Sequence, residues 1–148
     1  GGLYVDLDFE CLDRNIVSLF KEGYFVVGKE PDQHARRYNR EHIICNALMA
    51  SVPNHPFLDF IIQRMMNHPN GWNVRHGGDI LDSTGPFLIT DAFNDFPQKE
   101  SISIVEPELL YPIHLGESIF IIEGKVPEEM QQRIEKAYAI HYFAGTWW

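Results

Sequence analysis

The stretch that most constrains this chain is its opening one. An apolar, β-branched and aromatic run, Leu3-Tyr4-Val5, ends in two aspartates one residue apart, Asp6-Leu7-Asp8. The run reads as a short buried strand. Carboxylates at its carboxyl end fall where open α/β sheets bind ligands. Two carboxylates this close repel unless a cation or a proton lies between them. A divalent metal site is the simplest expectation, and Glu10 adds negative charge beside it. Asp-x-Asp alone is a weak pattern, because aspartates also cap helices and turns. Its position after Gly1-Gly2 and a hydrophobic strand is what raises it.

The 148 residues are 45% hydrophobic, enough for the core of one ordinary domain. Net charge is −9 and the twelve Lys and Arg are scattered. No basic face for nucleic acid is therefore expected. An acidic protein that handles phosphate recruits it through a metal. Cys11 and Cys45 match no zinc spacing and read as buried free thiols. No apolar run reaches transmembrane length. The sequence opens on Gly1-Gly2 with no initiator methionine. It is expected to be a fragment whose upstream part is missing, together with any membrane segment there.

Strands alternate with helices along the chain, which gives an α/β class. After the opening strand, Asp13-Arg14-Asn15 starts a short helix that Gly23 stops. Tyr24 to Val27 is a buried strand, and Glu30 to Glu41 is a polar loop long enough to close over a ligand. Ile43 to Ala50 is a strand near the sheet centre. Asn54 caps a well-buried helix that runs to about Asn67. Asn70-Gly71 and Gly77-Gly78 punctuate a loop, and Thr84-Gly85-Pro86 opens a helix over Phe87 to Asn94. Ile102 to Val105 is a strand, Ser118 to Ile122 another, and Val126 to Lys136 a helix. Ala139 to Phe143 is a last strand that carries His141.

Each candidate site residue has a plain alternative. His141 suits Mn²⁺ beside carboxylates, and on its own it reads as a core histidine. The other six histidines read as surface or capping residues. Asn46 interrupts an apolar strand, so its amide is either hydrogen-bonded within the fold or turned toward a substrate cavity. Thr84 and Gly85 precede free helix N–H groups that receive an anion or a sugar hydroxyl, or else simply start the helix. Trp147 and Trp148 offer stacking faces for sugars or bases, or plug the core.

Several of these pieces occur together in one family. The chain resembles glycosyltransferase family 32 in Gly1 to Asp8, in Asn46 to Ser51 with Asn54-His55-Pro56-Phe57, in Ser83 to Pro86 and in His141 to Trp148. The resemblance implies a GT-A-like mixed sheet flanked by helices, incomplete at its N-terminus where family members carry a nucleotide-binding βαβ region. It implies transfer of a hexose from a UDP- or GDP-hexose donor to a hydroxyl of a glycan or glycolipid, with retention, and a Mn²⁺ or Mg²⁺ cofactor. Carried over residue by residue, Asp8 corresponds to the direct metal ligand. Asp6 corresponds to the contact with donor sugar and metal-bound water, and His141 to the C-terminal ligand. A eukaryotic source implies the Golgi lumen, a bacterial one the cytoplasm. A covalent route needs a carboxylate nucleophile, for which Asp79 and Asp82 are the nearest candidates, and a front-face attack that needs no enzyme nucleophile is equally open. Two other readings compete. One is a haloacid-dehalogenase-like phosphatase, which also carries Asp-x-Asp after a strand and for which Gly78-Asp79 would supply a later acidic motif. The other is a non-catalytic carbohydrate-binding remnant.

Overall fold

A computed structural model describes residues 1–68 and 77–145. Its centre is a four-stranded mixed sheet in the order β1-β4-β3-β5, where β1 is Gly2–Val5, β3 Phe25–Lys29, β4 Ile44–Ser51 and β5 Ile102–Val105. β4 is antiparallel to both β1 and β3, and β3 is parallel to β5. A separate two-stranded ladder joins β2 (Phe9–Cys11) to β6 (Ala139–His141). The expected α/β class with a mixed, helix-flanked sheet is what the chain adopts.

Side chains alternate across β3 because strand residues point to opposite faces. Phe25 and Val27 face a core made with Phe57 and Ile61 of α2 (Pro56–Met66) and Leu88, Ile89 and Ala92 of α4 (Pro86–Asp95). Val26 faces the opposite core, with Leu48, Leu110, Tyr111 and Ala139. The sheet thus has α2 and α4 on one side, and α5 (Pro107–Leu110) with the β2–β6 ladder on the other. Thr90 ties α4 to the sheet: its buried hydroxyl donates to Pro86 O and accepts from Ile44 N.

The β3–β4 register jumps from Val27↔Met49 to Gly28↔Cys45. Asn46, Ala47 and Leu48 therefore bulge out of the ladder, which re-aims the side chains there. Gly28 at this break has no room for a side chain, because a Cβ would lie 2.5 Å from the Tyr111 ring.

Several expectations are corrected. β1 is not buried: it is an edge strand with Leu3 and Tyr4 half-exposed. The polar stretch after β3 is not only loop, since Asp32–Arg37 forms α1. Gly77–Ser83 forms α3 where a loop was expected, and Ser118–Ile122 is the helix α6 rather than a strand. α6 is a single short turn whose Ile121 packs inward against Ile113 and Met130 of the core. The final helix, α7, is Glu128–Ile134. His55, not Asn54, caps α2: its Nδ1 accepts from Phe57 N at 3.2 Å, while Asn54 takes a left-handed turn at φ 59°. α2 buries one stripe only, and Leu58, Ile62 and Met66 face outward. Cys11 is exposed on the β2 edge, whereas Cys45 is buried as expected. Among the described residues no helix is long and apolar enough to cross a membrane.

Candidate functional site

Asp6 follows β1 directly. Its backbone N–H donates to Ala47 O at 2.8 Å, so the β4 bulge fixes where the first carboxylate stands. Asp6 Oδ1 accepts from the Tyr4 hydroxyl at 2.7 Å. That hydrogen bond, helped by burial and by the charges of Asp6 and Asp8, pushes the Tyr4 pKa up to about 12, which keeps the proton available to donate.

Asp8 sits in the turn between β1 and β2, where both ends of the chain meet. Its backbone O accepts from Tyr142 N at 2.9 Å, and its Oδ2 accepts from Ala144 N at 2.9 Å. The other carboxylate oxygen, Oδ1, lies 3.2 Å from His141 Nε2. The β2–β6 register sets Phe9 opposite His141, and the two rings stack with centroids 4.9 Å apart. His141 is buried, and burial holds its pKa below the usual histidine value against the opposing charges of Asp8, Glu30 and Asp6. A neutral imidazole is the ligating form.

Asp6, Asp8 and His141 each offer one ligand atom, all within 4.8 Å of one another. Two carboxylates and one imidazole form a donor set that can hold a divalent cation. His141 Nδ1 is buried with no hydrogen-bond partner, so it carries no second contact that fixes the ring's tautomer. Glu10 stands outside this group and accepts instead from the Tyr142 hydroxyl.

The cluster lines a cavity of about 730 Å³, whose walls also carry Asn46, Thr84 and Gly85. Six of the seven expected site residues thus converge on one space, and Trp147 lies outside the described residues. Asn46 stands in the β4 bulge, half-buried, and its amide makes no hydrogen bond among the described residues. Thr84 is not the cap of α4. Its hydroxyl reaches back to Ile80 O at 3.4 Å, and Gly85 is the N-cap residue. A Cβ on Gly85 would lie 2.8 Å from Leu81 Cα, so close packing of α3 on α4 already accounts for a glycine there. Asp79 and Asp82 belong to α3 and neither lines this cavity; Asp82 turns to Arg40 at 3.7 Å.

Two residues escaped the sequence reading. Glu30, at the carboxyl end of β3, lines the cavity and is 7% exposed. His34, expected at the surface, is buried and holds Glu30 Oε2 at 2.9 Å through Nδ1. The available signal was a carboxylate directly after a buried strand, the arrangement that singled out Asp6, with a histidine four residues on.

Comparison with known proteins finds similarity to glycosyltransferases. The chain is 27% identical to a lactosylceramide 4-alpha-galactosyltransferase from Rattus norvegicus, over 95% of its own length and 36% of that protein's. It is 24% identical to an initiation-specific alpha-1,6-mannosyltransferase from Schizosaccharomyces pombe, over 99% of its length and 43% of the relative's. It is 25% identical to an uncharacterized glycosyltransferase from Acanthamoeba polyphaga mimivirus, over 78% and 42%. The chain spans less than half the length of each of these three. No family model and no solved structure matches it. Along most of its length the chain is thus similar to galactosyl- and mannosyltransferases.

Proposed function

We propose that this chain is the donor-site part of a metal-dependent hexosyltransferase. It takes a UDP- or GDP-hexose and delivers the hexose, with retention, to a hydroxyl of a glycan or glycolipid. The observation that carries the reading is the approach of Asp6, Asp8 and His141 within 4.8 Å at the wall of a cavity large enough for a nucleotide sugar. Relatives named for galactosyl transfer to lactosylceramide and for mannosyl transfer support the hexose and the acceptor class.

Asp8 and His141 act as ligands, and Asp6 as a ligand or as the acceptor for a donor hydroxyl, with the Tyr4 hydroxyl holding its carboxylate in place. A bound Mn²⁺ or Mg²⁺ supplies the positive charge that neutralises the departing nucleoside diphosphate. Asn46 and the N-terminal end of α4 behind Thr84 and Gly85 line the same cavity and contact donor or acceptor hydroxyls. A covalent route through Asp79 or Asp82 is disfavoured, since neither faces the cavity. Attack from the same face as the leaving group agrees better with these walls.

The test is transfer of labelled hexose from UDP-galactose and GDP-mannose to lactosylceramide and to mannosides, with Mn²⁺ and with EDTA. Transfer that needs the metal and falls about 100-fold or more in Asp8→Asn is expected. Equal transfer by Asp8→Asn, or equal transfer in EDTA, overturns the reading.

A further inference from the structure

The donor-site reading leaves one buried carboxylate unused. Glu30 lines the cavity and is 7% exposed, yet it is outside the group of ligand atoms formed by Asp6, Asp8 and His141. An ionisable group this buried is costly unless it is paired and hydrogen-bonded. His34 is that partner. Its Nε2 accepts the backbone N–H of Leu115 at 3.0 Å, so the ring proton sits on Nδ1 and is donated to Glu30 Oε2 at 2.9 Å. The His34 ring is wedged edge-on against Phe143 at 4.8 Å, and Phe143 in turn contacts His141 at 4.2 Å. Two rings, those of His34 and Phe143, thus link Glu30 to the proposed ligand His141, and Glu30 and His141 line the same cavity.

A carboxylate repels a diphosphate and accepts hydrogen bonds from hydroxyls. With the diphosphate held at Asp8 and His141, the next unit along a nucleotide sugar is the hexose. We infer that Glu30 is a specificity-determining residue that accepts hydroxyl hydrogen bonds from the transferred hexose, with His34 as its positioning residue. This rests on the donor-site reading. In it the metal end of the cavity recognises the diphosphate, and the Glu30 end recognises the sugar.

The experiment compares two affinities by calorimetry in the presence of Mn²⁺: the bare nucleoside diphosphate (UDP, GDP) and the matching nucleotide sugar (UDP-galactose, GDP-mannose). Wild type is expected to bind one nucleotide sugar more tightly than its diphosphate. Glu30→Gln is expected to leave diphosphate affinity within about twofold and to lose about tenfold on the sugar. His34→Asn keeps a donor near the Nδ1 position and is expected to retain more of the sugar increment than His34→Ala. If Glu30→Gln does not fold, deoxy and fluoro analogues of the hexose test the same contact in wild type, and one of them must lose the increment. Equal loss on diphosphate and sugar, no loss on either, or analogues that all bind alike overturn the assignment while leaving the donor site standing. Absence of any Mn²⁺-dependent nucleotide binding in wild type overturns the donor-site reading and Glu30 with it.

Discussion

His141 Nε2 lies 3.2 Å from Asp8 Oδ1, although the two residues stand near opposite ends of the chain. The β2–β6 ladder makes this contact, because its register puts Phe9 against His141 and leaves Asp8 one residue away at the turn. Phe9 therefore supports the site without being a ligand itself: its ring stacks on the His141 imidazole at 4.9 Å and 14°. Supports of this kind typically change metal affinity by about 10- to 100-fold. Phe9→Ala is expected to weaken Mn²⁺ binding by about tenfold, read by electron paramagnetic resonance titration of free Mn²⁺. Unchanged affinity means that the ladder alone orients His141.

Gly28 and Tyr111 pack in direct contact at the break in the β3–β4 register. A Cβ on Gly28 would meet the Tyr111 ring at 2.5 Å and its hydroxyl at 2.6 Å. Tyr111 is fully buried and cannot retreat cheaply. Gly28→Ala is expected to lower unfolding free energy by about 1–3 kcal/mol through overpacking. Urea denaturation checks this, and a loss below about 0.5 kcal/mol, the size of an ordinary surface change, contradicts the fit.

Cys45 carries a pH signature. Burial first, then the charge of Glu30, pushes its thiol well above the usual value of 9.0. The folded thiol holds its proton where the unfolded one has lost it. The stability this represents is complete below about pH 9 and declines as pH rises above it. Tyr111, raised for the same first cause, adds a second decline above about pH 10. In Cys45→Ala, stability is expected to fall less steeply between about pH 9 and 10 than in wild type. Thiol titration separates the two cysteines directly: exposed Cys11 reacts in the native protein, and buried Cys45 reacts only on unfolding.

What the residues revealed in advance follows from how local each signal is. The opening strand, the apolar runs of β3, β4 and β5, and the strand holding His141 are all continuous local patterns and form strands, although β1 lies exposed at the sheet edge and the last strand stops at His141. β2 is three residues with Glu10 in the middle and exists only because β6 returns beside it, so nothing local announces it. The run Ile119-Phe120-Ile121-Ile122 has strand composition but becomes a helical turn, because only one face finds core to pack on. α1 is polar and reads as loop from its residues alone, and its buried anchor is the Glu30–His34 pair. The site followed the same rule. Asp6, Asp8 and His141 were readable as carboxylates and an imidazole at strand ends. Glu30 was hidden because its polar neighbours masked a carboxylate that the fold turns inward.

At the centre of the proposed donor site, Asp8 and His141 hold a divalent ion against a diphosphate. The measurement is thermal unfolding with Mn²⁺ and UDP or GDP, alone and together, in wild type and in Asp8→Asn. A ligand at 100 times its dissociation constant stabilises the folded state by about 2.7 kcal/mol. The predicted result is a clear rise in midpoint for wild type only when metal and nucleotide are both present, and no rise for Asp8→Asn. Equal rises in the two proteins, or none in wild type, contradict the account.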